Sequence, residues 1–305
     1  MTLDRPLLGI ALMLGFCIVA PMGDAVAKLL GESVPLGQLL FVRFAIQAVI
    51  LIPLVWLGRR AWRMRGRVLR LTALRTLLHI FGIGAMFTAL QYLPLADAVA
   101  IAFVMPFLML LLGKYVLGEE VGSRRLIACI VGFVGTLLVV QPSFAEVGWP
   151  ALLPLVVAVN FAVFMLVTRQ IAKETDPLGL QAVSGVMAVF ILGPVLWLAS
   201  GSGIAPLEVI AVNDSELALL AAIGILGTLA HLLMTWSLRY APSATLAPMQ
   251  YLEIPVATII GFFIFSDLPN AMASTGICIT IASGLYIVLR ERAIARTEAQ
   301  TPAHA

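Results

Sequence analysis

Ten apolar runs, each near the length of a membrane crossing, leave this chain few folds to choose from. They cover 7–28, 36–57, 71–92, 95–117, 125–141, 149–168, 178–199, 216–238, 244–265 and 270–289. A helix climbs about 1.5 Å per residue, so some 20 residues cross roughly 30 Å of hydrocarbon. Only the fifth run is short by this measure. The runs are continuous rather than alternating, which favours helices over barrel strands. Soluble domains carry roughly 25% charged residues, and this chain has 11% against 61% apolar. Too little polar surface remains to cover a globule in water. The sequence predicts an all-α membrane protein of ten transmembrane helices.

Lysine and arginine set the expected orientation. The loop after the second run carries Arg59, Arg60, Arg63, Arg65, Arg67 and Arg70. If it is cytoplasmic, the same side also holds Arg5, Arg124, Arg125, Arg169, Lys173, Arg239, Arg290, Arg292 and Arg296, fifteen basic residues in all. The opposite side holds Lys28 alone, while Arg43, Arg75 and Lys114 fall within runs. Both termini are therefore expected in the cytoplasm. A thirteen-residue basic loop between spans has no room for a recognition domain, so topology explains it better than nucleic-acid binding. The first run, followed by Ala25-Val26-Ala27, has the outline of a signal peptide. Asp4 beside Arg5 breaks the basic leader, and cleavage would leave the sixth helix without a partner, so the run is expected to stay.

The stretch 236–267 has a partial copy 148 residues earlier, at 88–119. Laid over each other without a gap, they pair Leu90 with Leu238, Tyr92 with Tyr240, Pro94 with Pro242, Ala96 with Ala244 and Gly113 with Gly261. Pro106 and Pro255 fall one position apart. Pro35-Leu36-Gly37 likewise matches Pro177-Leu178-Gly179, and Gly135 matches Gly284. The chain divides into a first repeat at 1–142, a second at 143–290 and a cytoplasmic tail at 291–305. Five helices is an odd number, so the second copy enters the membrane from the opposite side. Inverted repeats of this kind place a solute site near the midplane, where they meet.

An ionisable group inside hydrocarbon is expensive and calls for a reason. Glu253, bracketed by Pro248 and Pro255, is the most central. On an unbroken helix it shares a face with Gln250, Ala257 and Gly261. It is either a carboxylate for substrate or proton, or the partner of a buried arginine. Pro106 and Pro255 are expected to bend the fourth and ninth helices. Arg43, with Gln47 one turn on, either binds an anionic group of a solute or neutralises Asp24 or Glu253. Arg75 lies near enough to a helix end to snorkel. His79, one turn on, is a candidate proton acceptor or a hydrogen-bonded core histidine, and His231 is a weaker candidate. Asp24 and Lys28, one turn apart, read as an interfacial pair or a gate. Asn160 is either interhelical glue or a ligand. Tyr251 and Phe103 align in the repeat and flank the expected cavity, where they pack or stack on a ring. Glu119 and Glu120, beside Arg124 and Arg125, read as solvated charge. Cys17, Cys129 and Cys278 all lie in apolar runs and read as small buried hydrophobes, with no disulfide framework or metal cluster.

Enzyme signals are absent: the chain has no HExxH, Cys-x-x-Cys, Walker loop or Gly-x-Ser-x-Gly. Any uphill transport must then draw on a gradient. Arg75-Thr76, LQYLPLADA at 90–98, FVMPF at 103–107, Leu117-Gly118-Glu119, APMQYLE at 247–253 and Pro255 resemble the EamA-type branch of the drug/metabolite transporter superfamily. The likeness covers essentially the whole chain. It implies two inverted five-helix halves, a central solute cavity and no cofactor, in a group that carries amino acids, nucleosides, vitamins and other metabolites. APMQY and IASGLYIVLRE are similar to its riboflavin-transporter branch, and YLE with FFIFSDLP is similar to its S-adenosylmethionine-uptake branch.

The expected protein is a secondary carrier of the bacterial inner membrane, monomer or homodimer. It moves a small organic metabolite by alternating access, riboflavin first, with an S-adenosylmethionine, amino-acid or metabolite exporter of the same fold as the alternative. Its partners would be a small metabolite, lipid and a coupling proton, with no nucleic acid. A channel, a membrane enzyme on a lipid-linked substrate and a structural assembly partner are the rival readings.

Overall fold

The computed structural model describes residues 5–118, 122–266 and 271–300, and all its regular structure among them is helical. Chain order gives α1 (Pro6–Leu30), α2 (Leu36–Leu57), α3 (Gly66–Leu90), α4 (Leu95–Ala102), α5 (Met105–Leu117) and α6 (Ser123–Val147). There follow α7 (Leu153–Ala172), α8 (Pro177–Ala199), α9 (Asp214–Tyr240), α10 (Ser243–Gln250), α11 (Glu253–Phe265) and α12 (Ala271–Gln300), with short 3₁₀ turns at Trp149–Leu152 and Ala205–Leu207. Glu119, Glu120 and Asp267 lie outside the described residues.

Seven of these stretches are long and apolar enough to cross a membrane: α1, α2, α3, α4 with α5, α7 with its leading turn, α8 and α9. Shorter apolar helical stretches at 126–138, 253–265 and 274–283 fall within the other three expected spans. The outer surface is what a bilayer requires. Trp56, Trp197, Phe190 and Phe263 are each at least 75% exposed, a pattern that water would penalise. Cys278 belongs to that outer face, contrary to its expected burial; Cys17 and Cys129 are buried.

Prolines and polar caps start the helices. Pro35, Pro94 and Pro242 stand in extended backbone immediately before α2, α4 and α10, where a missing N–H costs nothing. Asp176 accepts from the Leu178 and Gly179 amides at 3.1 and 3.2 Å to cap α8. Asn213 and Glu216 close a capping box on α9.

The fourth and ninth runs break outright where a bend was expected. α4 and α10 are eight residues each, and α5 and α11 are thirteen each. Every boundary repeats at the 148-residue offset, down to the left-handed Gly118 (φ 66°) and Ser266 (φ 58°) that end α5 and α11. The prolines explain the break. A proline ring collides with the carbonyl four residues earlier and offers it no hydrogen bond. For Pro106 and Pro255 those residues are Ala102, the last of α4, and Tyr251, the first beyond α10.

Packing pairs α1 with α9, α2 with α8, α3 with α7 and α6 with α12. α4 and α5 meet α10 and α11 where the two broken runs cross. Glycines set the closest approaches. A Cβ on Gly135 of α6 would lie 2.8 Å from the Gly276 carbonyl oxygen of α12, which is backbone and cannot turn aside. Gly135→Val should therefore lower stability by about 1–3 kcal/mol, the usual cost of overpacking. Thermal unfolding in detergent would register this as a lower melting temperature; an unchanged one would mean that the α6–α12 crossing yields to the added side chain.

Candidate functional site

The polar groups expected to matter do not form one cluster. They divide between two small adjoining cavities and the packed interfaces around them. The first cavity, about 80 Å³, is lined by Asp24, Arg43, Gly227 and His231 among apolar neighbours. The second, also about 80 Å³, is lined by Glu253, Phe103, Met105, Gly82 and others. Phe16, Ile83 and Phe161 belong to both walls. The Phe16 and Phe161 rings stack at 6.5 Å and form an aromatic waist between the cavities.

Glu253 is the first residue of α11, at the helix break, and is 8% exposed. No side chain caps that first turn, so the carboxylate lies at the positive end of a half-helix whose leading amides lack intrahelical partners. Its Oε1 has no hydrogen-bond partner. Among the described residues no arginine or lysine forms an ion pair with it. The reading of Glu253 as a structural ion-pair partner is thus without a partner here. Met105 holds the equivalent position in the first half, so the acid is confined to one repeat.

Arg43 is 3% exposed and reaches between α1 and α9. Its guanidinium lies against Gly227, where a Cβ would come within 2.6 Å of Nε, and 5.0 Å from the Phe44 ring centroid. One guanidinium nitrogen has no hydrogen-bond partner. Asp24 lines the same cavity. Its expected partner Lys28 instead donates to the Leu93 carbonyl at 3.1 Å and lies over the Phe265 ring. Four residues apart on a helix is a spacing that permits pairing without requiring it.

His79 and His231 were weighed separately from sequence. The structure joins them Nε2 to Nε2 at 3.0 Å, between α3 and α9. One ring must donate an Nε2–H and the other offer a lone pair, so a single proton bridges them. Both Nδ1 atoms are buried without a partner. Phe44 and Phe164 enclose His79, and Phe16, Phe161 and Phe164 enclose His231. His231 also reaches the first cavity.

Other expected residues are tied into packing. The break separates Gln250 from Glu253, so the two do not share a helix face; Gln250 is fully buried and points at Met165 Sδ, 3.1 Å away. Tyr251 donates to the Cys129 carbonyl at 3.0 Å, and its ring lies 5.7 Å from Phe103, so the two break residues face each other. Of that pair Phe103 lines the second of these two cavities and Tyr251 neither. Gln47 donates to the Gln181 carbonyl at 2.8 Å, and Gln181 in turn donates to the His231 carbonyl and to Thr235. Asn160 donates to the Leu78 carbonyl at 2.9 Å and packs on Gly82, the geometry of interhelical glue.

Arg75 does not snorkel. α3 begins at Gly66, a full turn before the expected start, which carries Arg75 into the interior at 0% exposure. It donates to Thr168 Oγ1 at 2.9 Å and Ser184 Oγ at 3.0 Å, over the Phe164 ring. The cavity roles of Phe16 and Phe161 had no distinct signal in the sequence. Aromatics in an all-apolar run do not announce which face turns inward.

A membrane-spanning helical bundle with ionisable residues turned into central cavities is the architecture of a multi-pass solute transporter. A profile of the EamA-like transporter family matches the chain twice, over residues 7–141 and 148–289, and the chain belongs to that family. The S-adenosylmethionine uptake transporter of Rickettsia prowazekii is 24% identical over 288 residues, covering 93% of both chains. The riboflavin transporter of Brucella anthropi is 27% identical over 269 residues, 87% of this chain and 92% of its own. The pseudopaline exporter CntI of Pseudomonas aeruginosa is 24% identical over 299 residues, 98% and 99%. A crystal structure superposes with a TM-score of 0.71 at 19% identity, covering 93% of this chain and 96% of the other, which supports the fold alone.

Proposed function

We propose that the chain is a secondary carrier for a ring-bearing metabolite with cationic and zwitterionic groups, of the chemical class of S-adenosylmethionine, moving it by alternating access in the bacterial inner membrane. The charge of the cavity walls carries the choice. Asp24 and Glu253 supply two carboxylates against the single guanidinium of Arg43. Phe16, Phe103 and Phe161 supply faces on which a ring can stack. Arg43 suits a cargo carboxylate, and the two acids suit an ammonium or sulfonium. A neutral flavin brings no cation for these acids to bind. The 24% identical Rickettsia relative, named for uptake of that compound, agrees with this reading.

Cavities of about 80 Å³ are small beside the roughly 300–1,000 Å³ of ligand pockets. Cargo therefore requires the Phe16–Phe161 waist to part and merge them. The ten-span, inverted-repeat organisation provides the lever, with cytoplasmic termini, halves at 1–142 and 143–290 and a tail from 291. Two observations support it. The helix boundaries around both breaks repeat at one offset. The pairings are also unchanged when each first-half helix is exchanged for its counterpart, α1 with α7 and α3 with α9. The proton is the proposed coupling ion, with His79 and His231 its station, and the carrier works as a monomer or homodimer.

In liposomes containing the purified chain, labelled S-adenosylmethionine should enter saturably and exchange against an internal unlabelled pool. Saturable riboflavin exchange without it would overturn the charge argument. Uptake that neither saturates nor exchanges would mark a channel.

A further inference from the structure

A third, unrelated cavity opens on the outer face, between α2 and α8. It measures about 490 Å³ and is walled by Ile52, Val55, Ala182, Val183, Val186 and Met187, with the indoles of Trp56 and Trp62 above them. Leu51 and Leu232 pack beneath it in a separate small core with Val55 and Ala182. Val55, Trp56 and Trp62 also line the adjoining opening, whose other walls are Leu57, Arg59 and Arg60. An apolar slot thus runs into a mouth held by two guanidinium groups.

The mouth is built. Ala61 of the α2–α3 loop lays its carbonyl on Gly179 at the start of α8, so closely that no Cβ would fit. Arg60 lies 3.6 Å from the Asp176 carboxylate and stays about half exposed. Arg59 turns the chain with a left-handed backbone, φ 47°. Arg63 lies over the Trp62 ring at 5.7 Å. Exposed tryptophans beside arginines mark the boundary between hydrocarbon and water.

We propose that this slot holds one acyl chain of an anionic phospholipid, whose phosphate is bound by Arg59 and Arg60. The two ends of the site match the two ends of that molecule: bare hydrocarbon along α2 and α8, then paired cations one turn beyond. Basic pockets at helix ends take anionic head groups in this way. A second copy of the chain is a poorer occupant. A two-fold contact here would bring the Arg59–Arg67 loop against its own like charges, which disfavours pairing.

The test uses the full chain in detergent micelles, with phosphatidylglycerol and phosphatidylcholine of identical acyl chains, read by native mass spectrometry. Phosphatidylglycerol should be retained about thirtyfold more strongly, the factor two arginines represent at an anionic lipid surface. The double variant Arg59→Gln/Arg60→Gln should remove that preference. Val186→Trp, which fills the slot, should lower retention of both lipids; Val183→Trp serves if the first variant melts below the parent. Equal retention of the two lipids by the parent overturns the proposal. So does a phosphatidylglycerol preference untouched by slot filling, which reports surface charge only, or a lipid-free dimer, which identifies the face as an interface between copies.

Discussion

Glu253→Gln should abolish transport while leaving the folded protein intact. The amide is nearly isosteric and keeps the helix break, since the break is caused by Pro255 and not by the carboxylate. What it removes is an ionisable carboxyl group at the uncapped start of α11, in a cavity where the side chain makes no ion pair among the described residues. If the carboxyl pairs with a cargo cation in the bound state, losing that contact typically costs about 3 kcal/mol or more. The transport rate at subsaturating cargo should fall roughly 100-fold, with the melting temperature in detergent unchanged. Asp24→Asn should act in the same direction and reduce exchange of a cationic cargo in particular. Normal rates and an unaltered pH profile for Glu253→Gln, at normal abundance, would remove this carboxylate from the mechanism. A lower melting temperature with normal transport would make it structural instead.

How much of this was legible beforehand depended on which physical signal carried it. The two broken runs were announced twice over, by prolines and by a gapless offset of 148 residues, and the boundaries follow that offset. Backbone chemistry is local, so sequence reports it well. Facing is not local. The expected stripe of Gln250, Glu253, Ala257 and Gly261 assumed a helix that continues through Tyr251, yet Pro255 breaks it there, and Gln250 and Glu253 end on different neighbours. Arg75 looked close to the membrane surface because the third run was started at 71. α3 begins at Gly66, recruiting charged residues that hydropathy had assigned to the loop. Asp24 with Lys28 fits an i, i+4 pair, but the same spacing lets one turn to a cavity and the other to a carbonyl. The His79–His231 contact spans 152 residues and two runs with no shared motif, so nothing short of the packing could bring it forward.

That histidine pair carries the second large effect. At one bridging proton, α3 and α9 are tied across the bundle at 3.0 Å. Protonating one ring leaves an Nε2–H facing a lone pair and keeps the tie; protonating both puts an N–H on both facing Nε2 atoms, and the tie becomes a repulsion. Falling pH therefore unlinks the two helices and rising pH relinks them. The charged groups around the pair are Arg43 from α2, Arg75 from α3 and Asp24 from α1, with Glu253 of α11 across the aromatic waist. In liposomes, exchange by the parent protein should depend on pH and weaken as the medium is acidified. His79→Gln and His231→Gln should each flatten that dependence and slow cargo uptake driven by an imposed proton gradient at least tenfold, while exchange without a gradient persists. Because one bond serves both residues, the double variant should be no worse than either single one, a non-additivity that independent sites would not give. A steep pH profile surviving in the double variant would move proton coupling to the carboxylates, and additive losses would mean the rings act as separate packing residues.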